Sequence, residues 1–245
     1  MSNDNPSQKL KKMIADARHF VVFTGAGISA ESGIPTYRGE DGLWHKYDPS
    51  KYADITHFHQ DPSYYWRFFQ DVRYPGLDKA RPNKAHEVLA RFQEKGALSA
   101  IITQNIDGLH QEAGAGKVLE LHGNTRRILC LNCGLHYTMT SVFSMLSTRL
   151  PPKCTVCGGT LKPDVVFFGE SLPAAVLNEA VKETRACDLF WVVGSSLLVQ
   201  PAAGLPAMAK RNGAKVVIIN KDPTPLDMIA DMVIHCGASE VLGAL

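Results

Sequence analysis

The 245-residue sequence predicts an α/β fold built on a doubly wound parallel sheet. Three observations predict it: short apolar runs that are typical of buried strands, helix-length amphipathic segments between them, and glycine or polar residues where the runs end. The composition supports a folded core, since 45% of the residues are hydrophobic. The 26 basic and 24 acidic residues nearly balance, so charge selects neither nucleic acid nor an anionic membrane as a partner.

Four apolar runs are typical of buried strands, and three amphipathic segments are typical of the helices beside them. The predicted strands are 19–24, 97–103, 189–193 and 215–219. The predicted helices are 10–17, 85–92 and 176–181. Gly96 follows the second helix as a stop signal. Strands joined by helix-length segments pair in parallel through right-handed crossovers, which gives the doubly wound sheet.

The ends of the predicted strands carry residues that are suited to ligand binding. They are Thr24-Gly25, Gln104-Asn105, Gly194-Ser195 and Asn220. In open α/β sheets, ligands bind in the crevice outside the carboxyl ends of the strands. We therefore expect these residues to converge on one site.

The first strand ends in a glycine-rich turn, Gly25-x-Gly27-x-x-Ala30. Glycines there let the backbone approach a pyrophosphate, whose charge is met by amide groups and a helix N-terminus. A tight turn without a ligand is the alternative. A simple dinucleotide fold would show an acidic residue at a strand end about 20 residues later. This sequence has instead a turn-rich segment over 32–38, in which Arg38 could reach a phosphate, and this difference argues against a hydride-transfer dehydrogenase.

Two stretches interrupt the alternation of strands and helices. Residues 37–81 are rich in aromatic and turn residues, and residues 126–162 carry four of the six cysteines. We expect the first to be a helical insertion and the second a metal-binding module. The remaining segments, 1–36, 82–125 and 163–245, are expected to form the nucleotide-binding domain.

The four clustered cysteines form two pairs, Cys130-x-x-Cys133 and Cys154-x-x-Cys157, separated by 20 residues. This spacing is typical of a tetrahedral zinc site with four thiolate ligands. Disulfides do not suit a reducing cytosol, and a redox pair needs only one such motif. Four protein ligands leave no open position, so the predicted zinc is structural rather than catalytic. A zinc ribbon that binds nucleic acid is the remaining alternative.

An amide, a carboxylate and an imidazole lie near strand ends, as Asn105, Asp107 and His122. Histidine titrates at about pH 6.5, so His122 could accept a proton near neutrality. A structural histidine is the alternative. Together with the glycine turn, the three residues predict chemistry on a dinucleotide.

The sequence predicts neither export nor a membrane span. Residues 1–12 are polar and lack the apolar run of a secretory signal. The apolar stretch 189–209 is interrupted by glycine, serine, glutamine and proline, so it is expected to form a strand, a loop and the start of a helix. We expect a cytoplasmic protein.

Over nearly its whole length, the chain resembles the sirtuins of prokaryotic type, which are NAD-dependent protein-lysine deacylases. The matching stretches are 25–35 with Arg38, 103–107, 121–123, the two cysteine pairs, 165–170 and 194–196. The resemblance implies a Rossmann-like NAD-binding domain, a small zinc module and a helical insertion. It also implies NAD as cosubstrate in the cleft between these parts, and one structural Zn²⁺.

The resemblance assigns roles to individual residues. The cofactor-binding residues would be Gly25, Ala26, Gly27, Ser29, Glu31, Pro35, Arg38, Trp44, Gln104, Asn105, Ile106, Asp107, His122, Gly194, Ser195, Ser196, Asn220, Lys221 and Ala238. The substrate-binding residues would be Val165, Val166, Phe167, Phe168, Gly169, Glu170 and Val199. Asn105, Ile106 and Asp107 would form the nicotinamide pocket. Asn105 and His122 would be catalytic, with His122 as the general base, and the four paired cysteines would bind the metal.

The implied activity is NAD-dependent deacetylation of protein lysines. The acyl group passes to ADP-ribose, and nicotinamide and O-acyl-ADP-ribose are released. The implied partners are proteins or peptides that carry acyl-lysine, with no specific nucleic acid and no membrane. A protein ADP-ribosyltransferase that uses the same NAD site and a non-catalytic NAD sensor are the alternatives.

The resemblance also suggests an acyl preference. Sirtuins that favour succinyl or malonyl lysine carry a Tyr-x-x-Arg pair in the helical insertion. Aligned on Trp66, this chain has Phe69 and Val72 at those positions. Acetyl and other uncharged acyl groups are therefore expected, although Tyr64-x-x-Arg67 occurs in another register.

Overall fold

Nine strands and eleven α-helices form the part of the chain that the computed structural model describes, residues 5–38 and 42–245. The strands are β1 (Phe20–Thr24), β2 (Ala100–Thr103), β3 (Val118–Glu120), β4 (Gly123–Cys130), β5 (His136–Thr138), β6 (Leu161–Val165), β7 (Leu189–Val193), β8 (Lys215–Ile219) and β9 (Met232–Ile234). The helices are α1 (Pro6–Asp16), α2 (Pro49–Tyr52), α3 (Ile55–Gln60), α4 (Pro62–Phe68), α5 (Tyr74–Lys79), α6 (Lys84–Glu94), α7 (Leu109–Glu112), α8 (Met139–Leu146), α9 (Ala174–Ala186), α10 (Leu205–Arg211) and α11 (Ala238–Gly243).

The main sheet has six strands in the order β3-β2-β1-β7-β8-β9, and every neighbouring pair is parallel. From β1 the chain proceeds outwards through β2 and β3, and from β7 it proceeds in the opposite direction through β8 and β9. The strand order therefore reverses between β1 and β7, which is where doubly wound sheets bind ligands. The predicted fold class is confirmed.

The central strands follow the sequence prediction closely. β7 and β8 have the predicted bounds, whereas β1 and β2 begin slightly later than predicted. The three predicted helices correspond to α1, α6 and α9. The sequence does not predict the edge strands β3 and β9, because each has only three half-buried residues.

Local signals set the limits of α6. The Asn83 side chain accepts hydrogen bonds from the Ala85 and His86 N–H groups, and the His86 ring accepts one from the Asn83 N–H. This reciprocal capping satisfies amides that would otherwise lack a partner at the start of the helix. Gly96 follows the helix with a φ of +71°, a conformation that glycine adopts without strain.

Both faces of the main sheet are buried. Alternate residues of a strand point to opposite faces, so Val22 packs in one apolar cluster, and Val21 and Phe23 pack in the other. Trp191 and Phe190 of β7 divide between the two clusters in the same way. The two cores hold the carboxyl ends of β1 and β7 in a fixed position.

A third core joins the two predicted insertions into a small lobe, residues 42–81 and 123–165. In it, β5, β4 and β6 form an antiparallel sheet, and helix residues such as Trp66 pack against Leu161. Trp66 is fully buried, and its indole N–H donates to the Leu161 carbonyl at 3.1 Å. β4 begins at Gly123 and β6 ends at Val165, so both strands extend beyond the module predicted over 126–162. The domain boundaries remain a prediction.

Among the described residues, no helix combines the length and the apolar character that crossing a bilayer requires.

Candidate active site

Two glycine turns meet where the strand order reverses. The Gly25 N–H donates to the Val193 carbonyl at 3.1 Å, and the Gly27 N–H donates to the Gly194 carbonyl at 2.8 Å. Gly194 has a φ of +64°, and a Cβ on it would lie 2.3 Å from the Ile28 nitrogen. The two backbones therefore pack in direct contact, and only glycine fits at this position.

A first cavity of about 660 Å³ opens beside these turns. Most of the predicted cofactor-binding residues line it: Ala26, Gly27, Glu31, Pro35, Arg38, Gln104, Asn105, His122, Gly194, Ser195, Ser196, Asn220, Lys221 and Ala238. The turn leads into the 3₁₀ helix Ala26–Ser32 rather than the α-helix that such a turn usually starts. The predicted helix N-terminus is therefore that of a 3₁₀ helix.

Three predicted cofactor-binding residues lie behind the wall of this cavity, namely Gly25, Ser29 and Asp107. The Ser29 hydroxyl donates to Asp107 Oδ2 at 2.8 Å and accepts from Asn105 Nδ2 at 3.1 Å. Asp107 Oδ1 also accepts the Leu109 N–H at the start of α7. In this arrangement, Asp107 acts on the cavity through Ser29, which fixes the orientation of the Asn105 amide.

His122 lies in the turn between β3 and β4 and lines the first cavity. Its Nδ1 is 3.0 Å from the backbone carbonyl oxygen of Gln104. Because a carbonyl only accepts, Nδ1 carries the proton and Nε2 is the basic nitrogen. Burial lowers the pKa of His122 below its ordinary value, and the hydrogen bond to Gln104 opposes part of that shift. The neutral ring therefore predominates near pH 7, as a general base requires.

Gln104 carries a buried donor without a partner. Its Oε1 accepts a hydrogen bond from the Ser195 hydroxyl at 3.4 Å, while its Nε2 has no hydrogen-bond partner in the described chain. Buried polar atoms in folded proteins are normally paired. This unpartnered amide belongs to a residue that lines the first cavity.

A second cavity of about 610 Å³ shares His122 and Gln104 with the first. All of the predicted substrate-binding residues line it: Val165, Val166, Phe167, Phe168, Gly169, Glu170 and Val199. Trp44 and Ile106, which were expected to contact the cofactor, line this second cavity and not the first. β6 ends at Val165, so most of the 165–170 segment follows the strand rather than belonging to it.

Backbone hydrogen bonds hold the 165–170 segment between His122 and the small lobe. The Val166 N–H donates to the His122 carbonyl at 2.9 Å, and the Phe168 N–H donates to the Ala53 carbonyl at 2.7 Å. The segment is thus tied directly to the main chain of His122.

The helical insertion contributes a buried guanidinium to the second cavity, that of Arg73. One of its nitrogens donates to the Tyr37 hydroxyl at 2.8 Å, and its central carbon lies 4.8 Å from the centre of that ring. Within residues 5–38 and 42–245, no carboxylate forms an ion pair with it. The Tyr65 hydroxyl borders the same cavity, and burial raises its pKa well above the ordinary value.

The expected acyl-flanking residues, Phe69 and Val72, do not line the second cavity. The helical turn Phe69–Arg73 is a π-helix, whose extra residue per turn changes the direction of the side chains that follow. Arg73, the last residue of this turn, lines the cavity. The insertion thus places a cationic side chain beside this cavity at a position other than the two aligned ones, and the acyl preference remains a prediction.

The four paired cysteines lie together at the end of the small lobe. Their sulfur atoms all lie within 4.8 Å of one another, with Cys130 and Cys157 3.5 Å apart and Cys133 and Cys154 3.7 Å apart. Four sulfurs at about 2.3 Å from a central zinc ion would be roughly 3.8 Å apart in a tetrahedron. All four are free thiols, so the disulfide alternative is wrong and the geometry fits one structural zinc ion.

Several lining residues are absent from the sequence-based assignment. In the first cavity they are Ala30, Gly33, Ile34, Thr36, Tyr37, Ile219, Asp222, Cys236 and Gly237, and in the second they include Tyr52, Ala53, Tyr65, Phe68, Arg73, Leu177 and Pro201. Most residues of the first group are next in sequence to residues that were assigned to the site. Their position in the sequence could therefore have predicted them. No local sequence signal marks Arg73, which ends the π-helical turn Phe69–Arg73.

Comparison with known proteins gives a consistent assignment. The model of the Sir2 family matches residues 25–201, which include the glycine turn, His122 and all four paired cysteines. The NAD-dependent protein deacylase 2 of Archaeoglobus fulgidus is 49% identical over 238 residues, covering 96% of this chain and 92% of the relative. The NAD-dependent protein deacetylase of Caldivirga maquilingensis is 45% identical over 236 residues, covering 96% and 90%.

A solved structure gives the same result for the fold. A Sir2 variant with a deacetylated p53 peptide and 3′-O-acetyl ADP-ribose superposes with a TM-score of 0.93 at 40% identity, covering 97% of this chain and 96% of that chain. Its similarity extends through both lobes and the cleft between them. The chain belongs to the Sir2 family.

Proposed function

We propose that this protein is an NAD-dependent protein-lysine deacetylase that transfers the acyl group to ADP-ribose and releases nicotinamide and O-acyl-ADP-ribose. One observation carries the proposal: His122 lines both the glycine-walled cavity and the cavity beside the 165–170 segment. A base in that position can act where two substrates meet. The family relatives are named as NAD-dependent deacylases or deacetylases, and one solved neighbour holds an acetylated ADP-ribose with a peptide.

The first cavity fits NAD. Its walls include main chain at Gly27 and Gly194, which lets a pyrophosphate approach amide groups, and it carries cationic groups at Arg38 and Lys221. The unpartnered Gln104 amide is suited to a ribose or carboxamide oxygen. NAD would supply an anomeric carbon with a leaving group, and the assigned residues would bind and orient it.

Asn105 and His122 would carry the chemistry of the chain itself. The Asn105 amide is held by Ser29 at the floor of the first cavity, where it can orient a polar group. Nε2 of His122 would accept a proton from a substrate hydroxyl, while its Nδ1–H stays bonded to the Gln104 carbonyl. Holding the reactants in register supplies much of the rate in such reactions.

The second cavity would hold the acyl-lysine side chain of a peptide. Within the described chain, the Val166 carbonyl and the Gly169 N–H make no backbone hydrogen bond, although both residues line this cavity. Pairing of a peptide with such main-chain groups gives affinity with little dependence on sequence. Val199 lines both cavities and would contact the peptide from the other side.

Four cysteine thiolates, from Cys130, Cys133, Cys154 and Cys157, would hold one structural zinc ion. Cys130 and Cys154 are buried and belong to the small-lobe core. The ion would therefore stabilise the lobe that carries β6 and the start of the 165–170 segment, without taking part in the reaction.

The Arg73 side chain favours a second class of substrate for the same site, in which the acyl group on lysine ends in a carboxylate. Its guanidinium is buried in the wall of the acyl-lysine cavity, and only one of its five N–H donors has a described partner. A charge buried without an anion is costly, and a terminal carboxylate on the acyl chain would pair with it. Malonyl- and succinyl-lysine are therefore candidate substrates beside acetyl-lysine.

A test of the proposed function is nicotinamide release measured by chromatography. We expect release in proportion to deacetylated peptide, and only when NAD and an acetyl-lysine peptide are both present. An ADP-ribosyltransferase would instead leave labelled ADP-ribose on protein, and that outcome would replace the proposal.

A further inference from the structure

Lys162 is a buried lysine that the proposed reaction does not use. It lies on β6, and its side chain is 6% exposed. Its ammonium group donates to the Val165 carbonyl at 2.7 Å and pairs with Glu170 Oε2 at 2.8 Å. It also lies 4.4 Å from the centre of the Phe167 ring. In these contacts, the ammonium group directs its N–H donors towards one short segment of chain.

The hydrogen bond from Lys162 to the Val165 carbonyl and its ion pair with the Glu170 carboxylate join the two ends of the 165–170 segment. Val165 begins the segment and Glu170 ends it, so one ammonium group links both. Glu170 Oε2 also accepts the Phe167 N–H at 2.7 Å, and the Glu170 N–H donates to the Phe167 carbonyl at 3.0 Å. The loop between Phe167 and Glu170 is thereby closed by both main chain and side chain.

This ion pair is not explained by stability alone. The Lys162 side chain is 6% exposed and that of Glu170 is 29% exposed, so burying the ammonium group costs much of what its attraction to a half-buried carboxylate gains. Every strong contact of Lys162 goes to the loop that lines the second cavity, while the lysine itself does not line it. The contacts therefore set the shape of the cavity wall rather than its chemistry.

We propose that Lys162 is a positioning residue for the acyl-lysine peptide, acting by clamping the 165–170 segment through Val165, Phe167 and Glu170. This inference rests on the proposed function. The clamp keeps the Val166 and Gly169 main chain presented to the second cavity. A peptide that pairs with this main chain meets a surface that is already ordered, which lowers the entropic cost of binding.

The test compares Lys162→Met with the wild type, using the zinc-loaded full chain. We expect the dissociation constant of a fluorescent acetyl-lysine peptide, measured by anisotropy, to rise about tenfold, and the peptide KM to rise with it. At saturating peptide, kcat and the KM for NAD should stay within about twofold of the wild type, because the NAD cavity is not altered. The control is Lys117→Met, which removes a lysine–glutamate pair of 2.7 Å whose two residues line neither cavity, and it should change only the melting temperature.

A merely structural role would lower the melting temperature or kcat and leave peptide affinity and KM unchanged, and that result would overturn the inference. If Lys162→Met does not fold because Glu170 is left unpaired, the double variant Lys162→Met/Glu170→Gln removes both charges together. Wild-type affinity in the folded double variant would equally overturn it. If the wild type itself does not convert the peptide with NAD, the proposed function fails instead, so the two failures are distinguishable.

Discussion

The Nδ1 atom of His122 lies 3.0 Å from the Gln104 carbonyl oxygen, and this contact determines which ring nitrogen is basic. Gln104 follows β2, and His122 follows β3, so two neighbouring strands set the distance between them. The Gln104 side chain lines the first cavity, and its buried amide nitrogen has no hydrogen-bond partner among the described residues. A single residue thus orients the base and forms part of the cavity wall.

The pH dependence of the reaction should report on His122. Burial lowers the pKa of this ring, so its neutral form persists below the ordinary titration range of about pH 6.5. We expect kcat/KM to be level through neutral pH and to fall only as acidification protonates His122 below that range. Rates measured between pH 5 and pH 8 check this, and an acid limb centred above pH 7 would contradict it.

Gly194→Ala should abolish NAD binding. Gly194 has a positive φ, and a Cβ there would lie 2.3 Å from the Ile28 nitrogen, so the two turns must separate. Gly213→Ala is the matched control, since Gly213 also has a positive φ, of +91°, but a Cβ there meets nothing within 4 Å. Both variants should lose about 1–2 kcal/mol of stability from the left-handed conformation.

Titration calorimetry with NAD separates the two glycine variants. Both variants should be less stable than the wild type, but only Gly194→Ala should also bind NAD more weakly. Equal NAD affinity in both variants would mean that the contact between the turns does not shape the nucleotide cavity.

Zinc removal should unfold the small lobe and stop the reaction. Metal analysis is expected to find one zinc per chain, and a strong chelator should abolish cooperative melting of the lobe. Cys133→Ser should reproduce the effect, whereas Cys187→Ala, outside the cluster, should retain zinc. Full activity in metal-free protein would contradict the structural role of the ion.

Arg73→Met should shift the acyl preference. Loss of the guanidinium removes the charge that a terminal carboxylate would pair with, so kcat/KM for succinyl-lysine should fall by about tenfold or more relative to acetyl-lysine. Arg67→Met is the control, because Arg67 is exposed on α4 and does not line the cavity. An unchanged ratio of the two substrates in Arg73→Met would exclude the second acyl class.

Features that depend on local sequence could be predicted, and features that depend on packing could not. The continuous apolar runs of β7 and β8 give their bounds directly, and the cysteine spacing gives the metal cluster. The edge strands are too short and too exposed to leave such a signal. For the candidate site, glycines and strand ends mark the first cavity well.

The second cavity is harder to predict because its wall comes from the helical insertion. Arg73 lies at the end of a π-helical turn and lines this cavity, whereas the comparison through Trp66 points to Phe69 and Val72, which do not. No sequence motif marks Lys162 either, because its proposed role depends on the contact that it makes with the Glu170 side chain in the folded protein. The sequence assigns Asp107 to the site, but it does not predict that Asp107 lies behind Ser29.

The most direct test of the account follows the acetyl group itself. Wild type and His122→Ala are incubated with NAD and a peptide bearing isotopically labelled acetyl-lysine, and the products are measured by mass spectrometry, with His59→Ala as an exposed-histidine control. We expect label in O-acetyl-ADP-ribose for the wild type and the control, and a rate lower by a factor of about 10²–10⁴ for His122→Ala. Label appearing as free acetate without NAD consumption, or equal rates with and without His122, would contradict it.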